Sequence, residues 1–149
     1  MSAGAQAGPA ARSYAAPYRS DTVTIALATG DDTEGRNELE YKVRLRAGGS
    51  FIYSWSVSGI ADPTEFYTEF HGHTDSNGKT MTVAVYRKAS GAADNGMLVA
   101  PFTGIHGWYF QNQSVSAVRV TLHIAGFYEL VPPGQPGNEK RIVAKPVAV

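Results

Sequence analysis

Four histidines carry most of the chemistry open to this sequence: His71, His73, His106 and His123. His71 and His73 stand as His-Gly-His, and on a strand positions i and i+2 point to the same side. Neutral imidazole is the commonest metal-ligating side chain. With His106 as a third ligand, the pair makes a three-histidine site of the kind that holds one transition-metal ion and leaves a coordination position open. The competing reading, which we prefer, puts His71 and His73 at a strand end in solvent and His106 in a tight turn with its ring hydrogen-bonded. His123 falls on the polar side of its strand, with Arg119 and Thr121, and belongs to no site.

Other chemistry is thin. Glu65 and Glu69 flank Tyr67, but a glycosidase needs two carboxylates facing each other across a cleft. Asp31, Asp32 and Glu34 lack the alternating oxygen ligands of a dedicated calcium loop and read as a solvated loop. There is no Gly-x-Ser-x-Gly elbow and no phosphate loop. Asn112-Gln113-Ser114 matches the glycosylation acceptor pattern. With no cysteine in the chain, disulfides, thiolate metal sites and cysteine catalysis are excluded. Thirteen basic and thirteen acidic residues balance, which argues against a nucleic-acid partner, since phosphates call for a basic face. No apolar run approaches the roughly 20 residues of a membrane-spanning helix, and no signal peptide is visible.

The elements that must position these residues are strands. The 149 residues support one domain. Apolar and polar residues alternate with period two over 39–46 (Leu39, Tyr41, Val43, Leu45 inward), 51–58 and 118–125. Shorter strands are expected at 22–28, 66–70, 97–101 and 105–110. Met81, Val83 and Val85 alternate beyond the Asn77-Gly78 hairpin signal, while 91–96 (GAADNG) reads as a loop. Turn signals about every 8–12 residues favour an all-β fold, a single antiparallel β-sandwich or jelly roll of about eight strands with no substantial helix. Residues 1–20 read as a flexible Ala/Gly/Pro-rich lead, 21–130 as the sandwich, and 131–149 as an extended Pro-rich arm, with 141–144 adding to a sheet edge. Tyr53, Trp55, Trp108 and Phe110 are expected in the core. Gly104 and Gly107 are expected to be structural turn glycines, needed for positive φ or close strand approach.

A charged alternating strand (EYKVRLRAG) leads into an aromatic one (FIYSWSVSG). A strand ending in FHG follows, then APFTGIHGWYFQN, then VRVTLHIAGFYEL. In that order of features, over about Thr22 to Leu130, the chain resembles the bacterial transmembrane-anchor proteins with a GOLD-like domain. The resemblance implies a sandwich fold and a periplasmic, cell-envelope location, with the cytoplasm the alternative compartment, and it brings no activity with it. Members carry an N-terminal membrane helix, which this chain does not show.

The leading expectation is a non-enzymatic protein-interaction module of a bacterial envelope, displayed by a membrane anchor absent from this chain. It would need no cofactor and would bind a protein partner, a second copy included, through a sheet edge or the loops at 59–63 and 88–96. One alternative is a cupin-like barrel holding one transition-metal ion on His71, His73 and His106. Its later segment, with Pro101, Gly104 and His106, is a near miss to the cupin pattern. The other alternative is a structural subunit whose terminal arms pack on neighbours.

Overall fold

The computed structural model describes residues 11–75 and 80–148; the Asn77-Gly78 signal and the first ten residues of the lead lie outside them. Eight long strands form in chain order: β1 (Arg19–Leu27), β2 (Glu38–Leu45), β3 (Ser50–Ser58), β4 (Phe66–His73), β5 (Val83–Ser90), β6 (Ala93–Val99), β7 (Gly104–Asn112) and β8 (Val118–Gly126). Two short strands, β9 (Glu129–Leu130) and β10 (Lys145–Pro146), complete the set. Among the described residues the helical content is one 3-10 turn, Pro63–Glu65.

The strands make two antiparallel sheets, β10-β1-β8-β3-β6 and β5-β4-β7-β2-β9. β1 pairs with β8, β2 with β7, β3 with β6 and β4 with β5. That nesting is what a long hairpin acquires when it is rolled into two sheets, and it is jelly-roll connectivity. The fold is thus the all-β sandwich that the period-two patterning predicts.

Alternation decides which side chains fill the space between the sheets. Val23, Ile25 and Leu27 come from β1, Phe51, Tyr53 and Trp55 from β3, and Val118, Val120, Leu122 and Ile124 from β8. They meet Leu39, Tyr41, Val43 and Leu45 of β2 with Trp108 and Phe110 of β7. The four expected core aromatics are all buried, and the Trp108 ring stacks on Phe70 at 5.1 Å. Aromatic pairs like this add about 0.5–1.5 kcal/mol beyond the area they bury.

Three expectations need correction. Residues 93–96 are not loop: Ala93, Asp94, Asn95 and Gly96 open β6, facing Ser56, Trp55, Ser54 and Tyr53 of β3. Gly104 and Gly107 are not turn residues, because both lie inside β7 with no positive φ. Their reason is close approach: a Cβ on Gly104 would strike the His73 carbonyl oxygen, and one on Gly107 the Tyr41 carbonyl oxygen. The sheet-edge pairing of the C-terminal arm falls on Lys145 and Pro146, opposite Thr22 and Asp21, rather than on 141–144.

Candidate interaction surface

Register parity settles where the histidines point. Directly opposed residues on paired strands share a face. His106 opposes Gly72, whereas His71 opposes Gly107 and His73 opposes Ile105. His106 therefore sits on the inner face of its sheet, and His71 and His73 on the outer face, so the proposed three-ligand set does not converge. Among the described residues no group of three His, Cys, Asp or Glu side chains is placed to hold a metal ion.

Each histidine has its own employment. His106 is fully buried, and its Nε2 donates to the Phe102 carbonyl at 3.1 Å. Because a carbonyl can only accept, Nδ1 is the acceptor, taking the Tyr86 hydroxyl proton at 2.8 Å. Burial pushes this imidazole below its ordinary pKa, so the ring is neutral. A Cβ at Gly72 would run into the His106 ring, and this is the steric reason for the glycine in His-Gly-His. His73 Nδ1 lies 2.9 Å from the Thr74 carbonyl, and exposed His123 lies 3.0 Å from the Thr22 hydroxyl.

His71 is buried rather than solvent-exposed, in a row of ionic side chains on the outer face of its sheet. Its Nε2 is 3.5 Å from Glu40 and its Nδ1 3.8 Å from Glu69. Lys42, wholly buried, also reaches Glu40. His71 and then Lys42 hold the Glu40 carboxyl at about 2, against the opposing effect of burial. Tyr109 donates to Glu38 at 2.7 Å beside this row. The carboxylates are spent on neighbours, so the row is a structural network.

The two flanks of the sandwich differ. On one, the C-terminal segment crosses from sheet to sheet. β9 pairs with β2, Gly137 accepts the Lys42 N–H at 2.9 Å, and β10 pairs with β1. Buried Asn138 ties the crossing together, donating to the Ile142 carbonyl at 2.7 Å and accepting the Ile142 N–H at 2.9 Å. Beneath it, the Tyr128 hydroxyl donates to Asp21 at 2.6 Å, and Arg19 grips the same carboxylate at 2.7 Å. Burial pushes the Asp21 carboxyl up, but Arg19 and Tyr128 outweigh it and hold the group below its ordinary value.

On the other flank, β6 ends one sheet and β5 the other, and among the described residues nothing pairs with their outer edges. A bulge shapes this flank. Phe70 opposes Arg87 but His71 opposes Val85, so β5 carries one extra residue, Tyr86. The extra residue sends Tyr86 inward, onto Phe70 and His106, and leaves Val83 and Val85 outward and about half exposed. On the other sheet Ile52 opposes Met97, each 61% exposed, with Val99 nearby. Of the ten exposed large apolar side chains among the described residues, six (Ile52, Met81, Val83, Val85, Met97 and Val99) lie on or next to these two edges. Concentration on one flank is the pattern of a contact surface rather than scattered surface apolarity.

Sequence reasoning did not find this surface. One signal was present: Ile52 is an apolar residue in an outward row otherwise made of serines, Ser50, Ser54, Ser56 and Ser58. The candidate loops are less informative. Residues 59–63 lead into the 3-10 turn capped by Asp62, and much of 88–96 is strand. Asn112 and Ser114 are buried, the Asn112 amide donating to the Ala28 and Ser116 carbonyls, so the acceptor-like triplet is a structural knot. Asp32 is taken up by Arg36 at 2.7 Å. Tyr14 of the lead stacks on Phe127 at 4.3 Å, with Ser50 donating to its hydroxyl.

No protein-family model matches this sequence, and no curated protein does. Among solved structures, one similar chain comes from Bacillus endospore appendages, described as a novel family of disulfide-linked pili. It has 10% identity and a TM-score of 0.39, with 85% of this chain and 100% of that chain covered. No helix among the described residues is long and apolar enough to cross a membrane.

Proposed function

We propose that this chain is a non-enzymatic protein-interaction module that binds along its β5–β6 flank. The observation that carries the reading is the coincidence on that flank, among the described residues, of two unpaired edge strands with most of the exposed large apolar side chains. Edge strands offer unpaired N–H and C=O groups for strand addition, and neighbouring side chains give such binding its selectivity. The setting we propose is the periplasmic side of a bacterial envelope, with display by a membrane anchor outside this chain. Its support is the resemblance of strand order and motifs to the transmembrane-anchor proteins.

A photo-crosslinking side chain placed at Met97, at Val85 and, for comparison, at the 91% exposed Val115 tests the reading in cells that make the protein. Protein adducts from positions 97 and 85 but not from 115 support it. Adducts from 115 alone, or from none of the three, overturn it.

A further inference from the structure

We infer that the occupant of the β5–β6 flank is a second copy of this chain, joined through a two-fold interface; this rests on the flank being the binding surface. The flank offers two edges, one from each sheet, so a single added strand covers only one of them. A second copy brings two edges at once, and a two-fold axis lets each sheet run on into a sheet of the other molecule. An isologous interface of this kind requires a surface complementary to itself.

Charge narrows which edges meet. β5 carries Arg87 and Lys88 and no acid, while β6 carries Asp94 and no base. Pairing β5 with β5 of the second copy brings together two strands whose only charges are positive, and pairing β6 with β6 two strands whose only charge is negative. Like charges directly opposed across strands destabilise. Pairing β6 with β5 of the second copy, twice over, sets opposite signs together. Asp94 is already drawn toward this meeting point, 3.5 Å from Arg87 of its own chain and 3.2 Å from the Tyr53 hydroxyl.

The four sheet edges are not equally open. β9 and β10 are two residues long, with Pro132 and Pro133 or Pro146 at hand, devices that block strand addition. β5 is bulged and basic. β6 is seven residues long with a single charge, flanked outward by Met97 and Val99. It is the edge left undefended, and β5 is the edge whose charges suit it.

The test is sedimentation velocity on the purified chain over a concentration series, for wild type, Met97→Arg and Val115→Arg. Met97 and Val115 both point into solvent, so both variants fold, which thermal melts verify. Expected is a concentration-dependent monomer–dimer equilibrium in wild type and Val115→Arg, weakened about tenfold or more in Met97→Arg by a desolvated charge without a partner. A monomer at every concentration, or a Met97→Arg dimer as tight as wild type, overturns the second copy. The interaction reading fails separately: a monomer that still crosslinks through position 97 to a different protein leaves the flank as a binding surface, and a monomer without adducts removes both.

Discussion

The flank closed by the C-terminal segment and the flank bounded by β5 and β6 belong to the same two sheets, yet they end in opposite ways. On the closed flank, short proline-marked strands cap both edges, and a buried carboxylate, Asp21, is held by Arg19 and Tyr128. On the open flank the strands are long, the outward apolar residues stay in solvent, and a bulge decides which residues of β5 they are. Capping is therefore local. A jelly roll has four edges, and this chain spends its last twenty residues or so on two of them.

The largest break is expected at Gly107. A Cβ there meets the Tyr41 carbonyl and lies 2.8 Å from Lys42 Cα, both main chain of β2. Gly107→Val should push β2 away from β7, destabilising by more than about 4 kcal/mol. A melting curve like that of wild type would contradict close strand approach as the role of this glycine.

Next comes the buried carboxylate. Asp21→Asn replaces a buried carboxylate that Arg19 and Tyr128 both bond and leaves Arg19, a third exposed, without its ionic partner, at a cost of about 1.5–3 kcal/mol, the scale for hydrogen bonds to a charged group. The sign of the pH effect follows from its depressed pKa. Its stabilisation is complete above the unfolded value near 3.8 and fades as pH falls through the lower folded value. Denaturant titrations from neutral to acid pH should show this loss, and Asp21→Asn should reduce it; an unchanged acid profile would remove Asp21 from the account.

Tyr86→Phe sharpens the comparison on the open flank. Removing the hydroxyl leaves His106 Nδ1 without a donor in a buried site, a loss of about 1–2 kcal/mol. A smaller loss, read by chemical denaturation, would mean that Tyr86 contributes packing alone. The smallest effect is expected at Val85→Lys, within about 0.5 kcal/mol, because the side chain is about half exposed. A larger cost would show that Val85 packs on something in the isolated chain.

Much of the fold was legible in the sequence because strand identity is local. The alternation of Leu39, Tyr41, Val43 and Leu45, and of Phe51, Tyr53 and Trp55, marks both the strands and their inner faces. What was not legible depends on partners far away in sequence. His71, His73 and His106 suggested one site, and only the pairing of Gly72 with His106 shows that they face apart. Ala93 to Gly96 carry turn-forming residues, and β3 holds them as strand all the same. Lys42 alternates as a solvent-facing residue, yet it is buried where the arm, with Gly137 near its Cβ, returns over it. The contact surface was hidden for the same reason. Val83 and Val85 alternate like core residues, and a bulge set by non-local pairing turns them outward.

Residue-resolved amide hydrogen exchange on the dilute chain reads the two flanks side by side. Edge-facing amides of β5 and β6 should exchange quickly, while the outer-edge amides of β1 and β2 that bond β10, β9 or Gly137 should be protected. Equal protection of both flanks under monomeric conditions would contradict that contrast, since the β5 and β6 edges would then have no free groups to offer a partner.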